Sequence, residues 1–128
     1  MKQAYVFAIG LICGAILTGI WLNAQQPELD PVKISPQYYK VRLDNDKVRV
    51  LEYRLKPGEK EAMHSHTVGI VYTLSEANLR VTQADGSKSE AIGKADNVIW
   101  RDQPVTHSIE NIGTTDAHAI AVELKACK

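Results

Sequence analysis

The chain has 128 residues, enough for one domain, and an apolar fraction of 45%, which suits an ordinary globular core. Its 15 basic and 15 acidic side chains balance, and no basic run or patch stands out, which excludes the electrostatic footprint of a nucleic-acid binder. Of its two cysteines, Cys13 lies in an apolar N-terminal run and Cys127 beside the C-terminus. Once the leader is set aside a single thiol remains, so the fold rests on no internal disulfide.

From Ala4 to Leu22 the chain carries no charge; Lys2 precedes this run and Asn23-Ala24-Gln25-Gln26-Pro27 follows it. A basic start, an apolar stretch and a polar exit form a secretory signal, with Leu22-Asn23-Ala24 as the cleavage site. The same run approaches the roughly 20 apolar residues that span a bilayer, so an uncleaved anchor helix is the alternative. Either way the rest of the chain is exported, periplasmic or secreted, and meets the membrane only through this segment. Residues 1–24 are thus read as signal or anchor, 25–37 as a proline-containing linker and 38–128 as the folded domain.

Past the linker, short β-type runs follow one another. Val48–Leu55 is β-branched and stops at Pro57-Gly58; Gly69–Leu74 comes next. Asn78–Ala84 alternates and meets Asp85-Gly86, a strong hairpin turn, and Ser89–Ile92 returns from it. Asn97–Trp100, Thr106–Ile112 and Ala117–Leu124 complete the series. Strands at roughly ten-residue spacing, without a helical pattern beyond the leader, predict an antiparallel all-β sandwich or barrel. On the closing strand Ile120, Val122 and Leu124 share one side, expected to face the interior, and His118 has the same parity. Val48 and Val50 oppose Leu51, Tyr53 and Leu55, so the first strand is apolar on both faces, which predicts a homodimer through the outer one.

The chemistry concentrates in three histidines. Side chains at i and i+2 of a strand point the same way, so His64 and His66 aim two imidazoles at one point. His107 on a neighbouring strand completes a metal site with open positions.

The stretch from about Val48 to Leu124 resembles a small single-domain cupin. The first cupin motif is G-x5-H-x-H-x3,4-E-x6-G, and Gly58, His64 and His66 stand at its matching positions. The second is G-x5-P-x-G-x2-H-x3-N, and His107 and Asn111 match its end. The resemblance implies a jelly-roll barrel (a double-stranded β-helix) whose motif residues hold a divalent ion such as iron, manganese, nickel, copper or zinc. The departures are specific. Ile70 or Val71 stands where the motif glutamate belongs, Asp96 replaces the second motif's first glycine, Asp102 its proline and Pro104 its second glycine.

No other carboxylate has the spacing to substitute: Glu59 and Glu61 precede the histidine pair, Glu76 lies well after it, and Glu110 has opposite parity to His107. The expected metal site is therefore three neutral histidines. They leave the ion's charge uncompensated and favour an anionic or chelating ligand. A metal-dependent, dioxygenase-like enzyme acting on a small organic molecule is the expected function. The alternative is an exported metal- or ligand-binding module without turnover. Ile70, Tyr72, Val98 and Trp100 are expected to line the pocket. Tyr72 and His118 are the candidate catalytic groups, against plain packing for Tyr72 and a satisfied interior histidine for His118. Asn111 reads as a structural hydrogen-bonding residue.

Overall fold

Alternating β-branched and aromatic runs bounded by turn residues become nine strands. In the computed structural model, which describes residues 29–126, these are β1 (Tyr39–Asp44), β2 (Val48–Leu55), β3 (His64–His66), β4 (Gly69–Thr73), β5 (Ala77–Gln83), β6 (Lys88–Gly93), β7 (Asn97–Arg101), β8 (Val105–Asn111) and β9 (Ala117–Leu124). The signal or anchor segment and Cys127 lie outside the described residues. The Asp85-Gly86 hairpin forms as expected, with Gly86 at φ 84° and Val81 paired to Ser89.

All pairings are antiparallel. One sheet has the order β1-β2-β9-β4-β7, the other β3-β8-β5-β6. The two sheets enclose a core of Tyr39, Leu51, Tyr53, Leu55, Ala77, Ala117, Ala119 and Ala121.

Part of the expected linker is ordered structure. Pro31–Ile34 is a single helical turn, α1, with Asp30 as N-cap accepting from the Val32 amide at 3.0 Å. Proline at the first helical position supplies a preset φ and gives up an amide that would lack a partner anyway. Pro31 and Ser35 are buried, and the Ser65 amide donates to the Leu29 carbonyl at 2.7 Å, so this segment covers the β3 edge of the second sheet. β1 was not anticipated either: beyond Tyr39 it is exposed, and its polar residues hide its pattern.

The face of β9 is the reverse of the sequence expectation. Ala117, Ala119, Ala121 and Glu123 point inward, whereas Ile120 and Val122 lie on the outer side and Leu124 is 41% exposed. The rule that larger apolar residues face inward fails because the interior is hollow. Alanines on the inner face leave a cavity of about 570 Å³ bounded by both sheets.

Candidate metal centre

The local sequence places the three histidines on one patch. Pro57-Gly58 turns the chain, Gly58 taking φ 80°, a left-handed value that a side chain would strain. The Gly58 amide then donates to the Asn111 carbonyl, the Asn111 amide to the Glu59 carbonyl and the Glu61 amide to the Ile109 carbonyl, each at 2.9 Å. This zips residues 58–61 onto β8 and delivers β3 in register, with His64 opposite His107 and His66 opposite Val105. Buried Asn111 holds the corner: its Nδ2 donates to the Leu55 carbonyl at 2.9 Å and the Thr115 carbonyl at 2.8 Å.

One ligand nitrogen from each of His64, His66 and His107 falls within a group no wider than 4.8 Å, and His64 is wholly buried. Their hydrogen bonds fix which nitrogen is free. His64 Nδ1 lies 2.8 Å from the Ala62 carbonyl and His66 Nδ1 lies 2.7 Å from Glu123 Oε1. Both partners only accept, so each Nδ1 carries the proton, and in a neutral ring each Nε2 is then a bare lone pair. Burial keeps the rings neutral: it lowers the His64 pKa to about 4 and the His107 pKa to about 3, and it outweighs the Glu123 hydrogen bond to lower that of His66.

The two Nε2 atoms face each other at 2.9 Å. Two lone pairs that close repel unless a cation lies between them. An ion about 2.1 Å from each nitrogen would see them roughly 90° apart, and a tetrahedral ion would hold them about 3.4 Å apart. The buried Nε2 of His107 has no hydrogen-bond partner. Two opposed lone pairs and an orphaned third nitrogen fit a divalent metal ion.

Carboxylates surround this patch. Arg49 binds Asp30 Oδ2 at 2.8 Å and Glu123 Oε2 at 2.7 Å, and Glu123 in turn holds His66. Burial alone would raise the Glu123 pKa, but the His66 and Arg49 hydrogen bonds outweigh it and the carboxyl stays below its ordinary value. An inward face of Ile120, Val122 and Leu124 would have turned Glu123 outward; the usable signal is its parity with the three alanines. Tyr39 donates to Glu61 Oε2 at 2.8 Å and places its hydroxyl 3.1 Å from His64 Nε2. Burial pushes the Glu61 carboxyl up to about 8, against the hydrogen bond from Tyr39.

The other two candidate residues stand outside the histidine cluster, although His118 borders the cavity. Tyr72 pairs with Ile120 and Val98 on the outer face, and its hydroxyl donates to Asp96 Oδ1 at 2.8 Å. Asp96 occupies the motif glycine's position at φ 55°, which aspartate tolerates better than most side chains, so Tyr72 pins that turn. His118 also faces outward, with Nε2 2.9 Å from Glu52 Oε1, correcting the inward orientation expected for it. Of the expected pocket wall, Trp100 borders the cavity; Ile70, Tyr72 and Val98 do not, and Val71 and Ile99 stand in their place. His66, His107, Tyr39 and Arg101 add polar groups to the lining. Arg101 donates to the Thr67 carbonyl at 3.1 Å and makes no ion pair among the described residues.

No family model and no curated protein matches the chain. Solved structures do. A cupin domain from Bordetella pertussis superposes with a TM-score of 0.63 at 25% identity, over 69% of this chain and 92% of that one. The chain has the cupin fold. An RmlC-like cupin family protein from Methanocaldococcus jannaschii gives a TM-score of 0.55 at 16% identity, covering 67% of this chain and 77% of its own. The polyketide cyclase RemF from Streptomyces resistomycificus gives 0.51 at 15%, covering 67% and 63%. At these identities the last two share the cupin fold alone with this chain, and a fold does not fix an activity.

Proposed function

We propose that the chain is a metal-dependent cupin enzyme, of oxygenase type, acting on a small organic anion bound at a three-histidine ion. The observation that carries this reading is the pair of opposed Nε2 lone pairs at 2.9 Å beside the orphaned His107 nitrogen. When bound, the ion supplies Lewis-acid polarisation and a coordination site for substrate or dioxygen. The protein supplies the rest. The mostly apolar cavity wall lowers the polarity around the site, which strengthens charge interactions there. Arg101 offers this cavity a guanidinium without a carboxylate partner, suited to a carboxylate or enolate. Glu123 fixes the His66 ring and its tautomer.

The test loads the full chain with iron, manganese, nickel or copper, one metal at a time, and screens diketones, oxo acids and phenols. The reading predicts turnover with at least one redox metal and weaker substrate binding in Arg101→Gln. Stabilisation by ligand without product would select a non-catalytic, exported binding module instead. Neither turnover nor binding with any metal would defeat both.

We also propose that two copies pair through the outer face of the five-stranded sheet. An apolar row, Leu43-Val50-Val122-Ile70-Trp100, crosses all five strands, and its ends are 48% and 59% exposed. Flanking Arg42, Glu52 and Arg54 mix both signs, as a self-complementary surface requires. Light scattering should give a dimer mass, reduced to monomer in Val98→Lys; a monomer in the unaltered chain would refute the pairing.

A further inference from the structure

A buried carboxylate without a cation beside it is costly, and this chain keeps one next to its histidines. Glu61 is 2% exposed. Its Oε2 accepts from Tyr39, but its Oε1 is buried without a hydrogen-bond partner, 3.7 Å from His64 Nε2. The Tyr53 hydroxyl is buried beside the same carboxylate and within its electrostatic reach, but makes no hydrogen bond of good geometry to it. Among the described residues no arginine or lysine pairs with Glu61, whose surroundings are burial and the two tyrosines. Stripping water from a carboxylate without a compensating charge destabilises a fold by several kcal/mol or forces the group neutral. The three lone-pair nitrogens beside it mark where a cation would meet this carboxylate.

We propose that Glu61 is the carboxylate ligand of this metal centre, reaching the ion from the loop before β3 in place of the motif glutamate that spacing puts at Ile70 or Val71. The proposal rests on the reading of His64, His66 and His107 as metal ligands. Geometry permits it. A 3.7 Å separation of Oε1 from His64 Nε2 corresponds to an angle of roughly 120° at an ion about 2.1 Å from both. Glu61 falls outside the tighter group formed by the three histidine nitrogens, so the carboxylate must swing inward. The last torsion of a glutamate is soft, and the Tyr39 hydroxyl can hold Oε2 while Oε1 moves. Charge favours it as well. Three neutral imidazoles leave two positive charges on a divalent ion; Glu61 leaves one, enough to bind an anionic substrate without trapping it. A hard oxygen ligand also tilts selectivity toward iron(II) and manganese(II).

The test uses the full chain, stripped with a chelator and titrated with manganese(II) alone and cobalt(II) alone. It compares the unaltered protein with Glu61→Gln, Tyr39→Phe and the His64→Ala/His66→Ala double variant. The proposal expects Glu61→Gln to weaken manganese binding by roughly tenfold or more. It also expects an altered visible spectrum of the cobalt form. Tyr39→Phe should keep most of the affinity. Unchanged affinity and spectrum in Glu61→Gln would overturn the proposal and leave the histidine site standing. A loss in Tyr39→Phe as large as in Glu61→Gln would make the carboxylate a mere support for tyrosine, and would overturn it too. If the unaltered chain takes up neither metal, the histidine reading falls and Glu61 with it. Should Glu61→Gln not fold, Glu61→Asp keeps the charge but shortens the reach, and is expected to weaken manganese binding; undiminished affinity there would count against ligation.

Discussion

The hydrogen bond from His66 Nδ1 to Glu123 does more for the site than hold one ring. It decides which nitrogen faces the cluster and raises that nitrogen's basicity. Glu123→Ala should lower metal affinity by about 10- to 100-fold in a chelator competition, with His64 and His107 in place; unchanged affinity would mean that packing alone orients His66. The buried groups also give the metal-free protein a distinctive pH profile. His64 at about 4 and His107 at about 3 lie below their ordinary value of 6.5, so the unfolded chain binds more protons there and stability falls as pH drops from 6.5. Glu61 at about 8 lies above its ordinary 4.5, so the folded chain binds more protons between those values and stability falls as pH rises through them. Where the windows overlap, above the ordinary carboxylate value and below 6.5, His64 and His107, joined by His66, outweigh one glutamate. Thermal melts of chelator-treated protein should therefore peak near pH 6.5, and Glu61→Gln should flatten the alkaline limb; a continuous rise to pH 8 would contradict this. At this scale the three histidines were legible because strand periodicity and motif spacing both point to them. Glu123, Glu61 and Tyr39 were not: the first stands opposite in parity to the residues expected inward, Glu61 occupies a variable position of the first motif, and Tyr39 lies in a segment without a motif.

Among the elements, β2, β4, β5 and the hairpin after it were readable because alternation and turn residues agree. β9 was readable as a strand but not in its orientation: its bulky residues lie outside, where the apolar row needs them, and its alanines inside. The same strand imposes a close approach. A Cβ on Gly69 would lie 2.0 Å from the Val122 carbonyl oxygen, so β4 can pair with β9 there only as glycine. At Gly58 a Cβ would meet nothing within 4 Å, and only the left-handed backbone opposes it. Gly58→Ala should therefore cost about 1–2 kcal/mol, and Gly69→Ala should cost more because two strands must separate. Chemical denaturation of the two variants measures the order; equal losses would show that β4 and β9 adjust freely. The turn at Asp96 explains one departure from the second motif: the glycine's left-handed conformation is kept, and the aspartate side chain gains a bond to Tyr72.

The described residues form a two-sheet shell around a cavity, and its inner alanines are what make it hollow. Overpacking a filled core costs about 1–3 kcal/mol. Ala119→Leu projects into open space and should cost less than that, yet it should weaken binding of any organic ligand in the cavity. A loss of stability typical of a packed core would mean that the cavity is not free volume. The hollow was beyond sequence reasoning, because small residues on an inner face look like a weak core until the opposite sheet is in place.

The central claim is that the three histidines hold an ion, and metal stoichiometry tests it most directly. The full chain would be purified without chelator beside the His64→Ala/His66→Ala variant and both subjected to elemental analysis. The account predicts close to one equivalent of a first-row divalent metal per chain, iron or manganese ahead of zinc, lost in the variant. No metal in the unaltered chain even after reconstitution, or equal metal in both proteins, would contradict it.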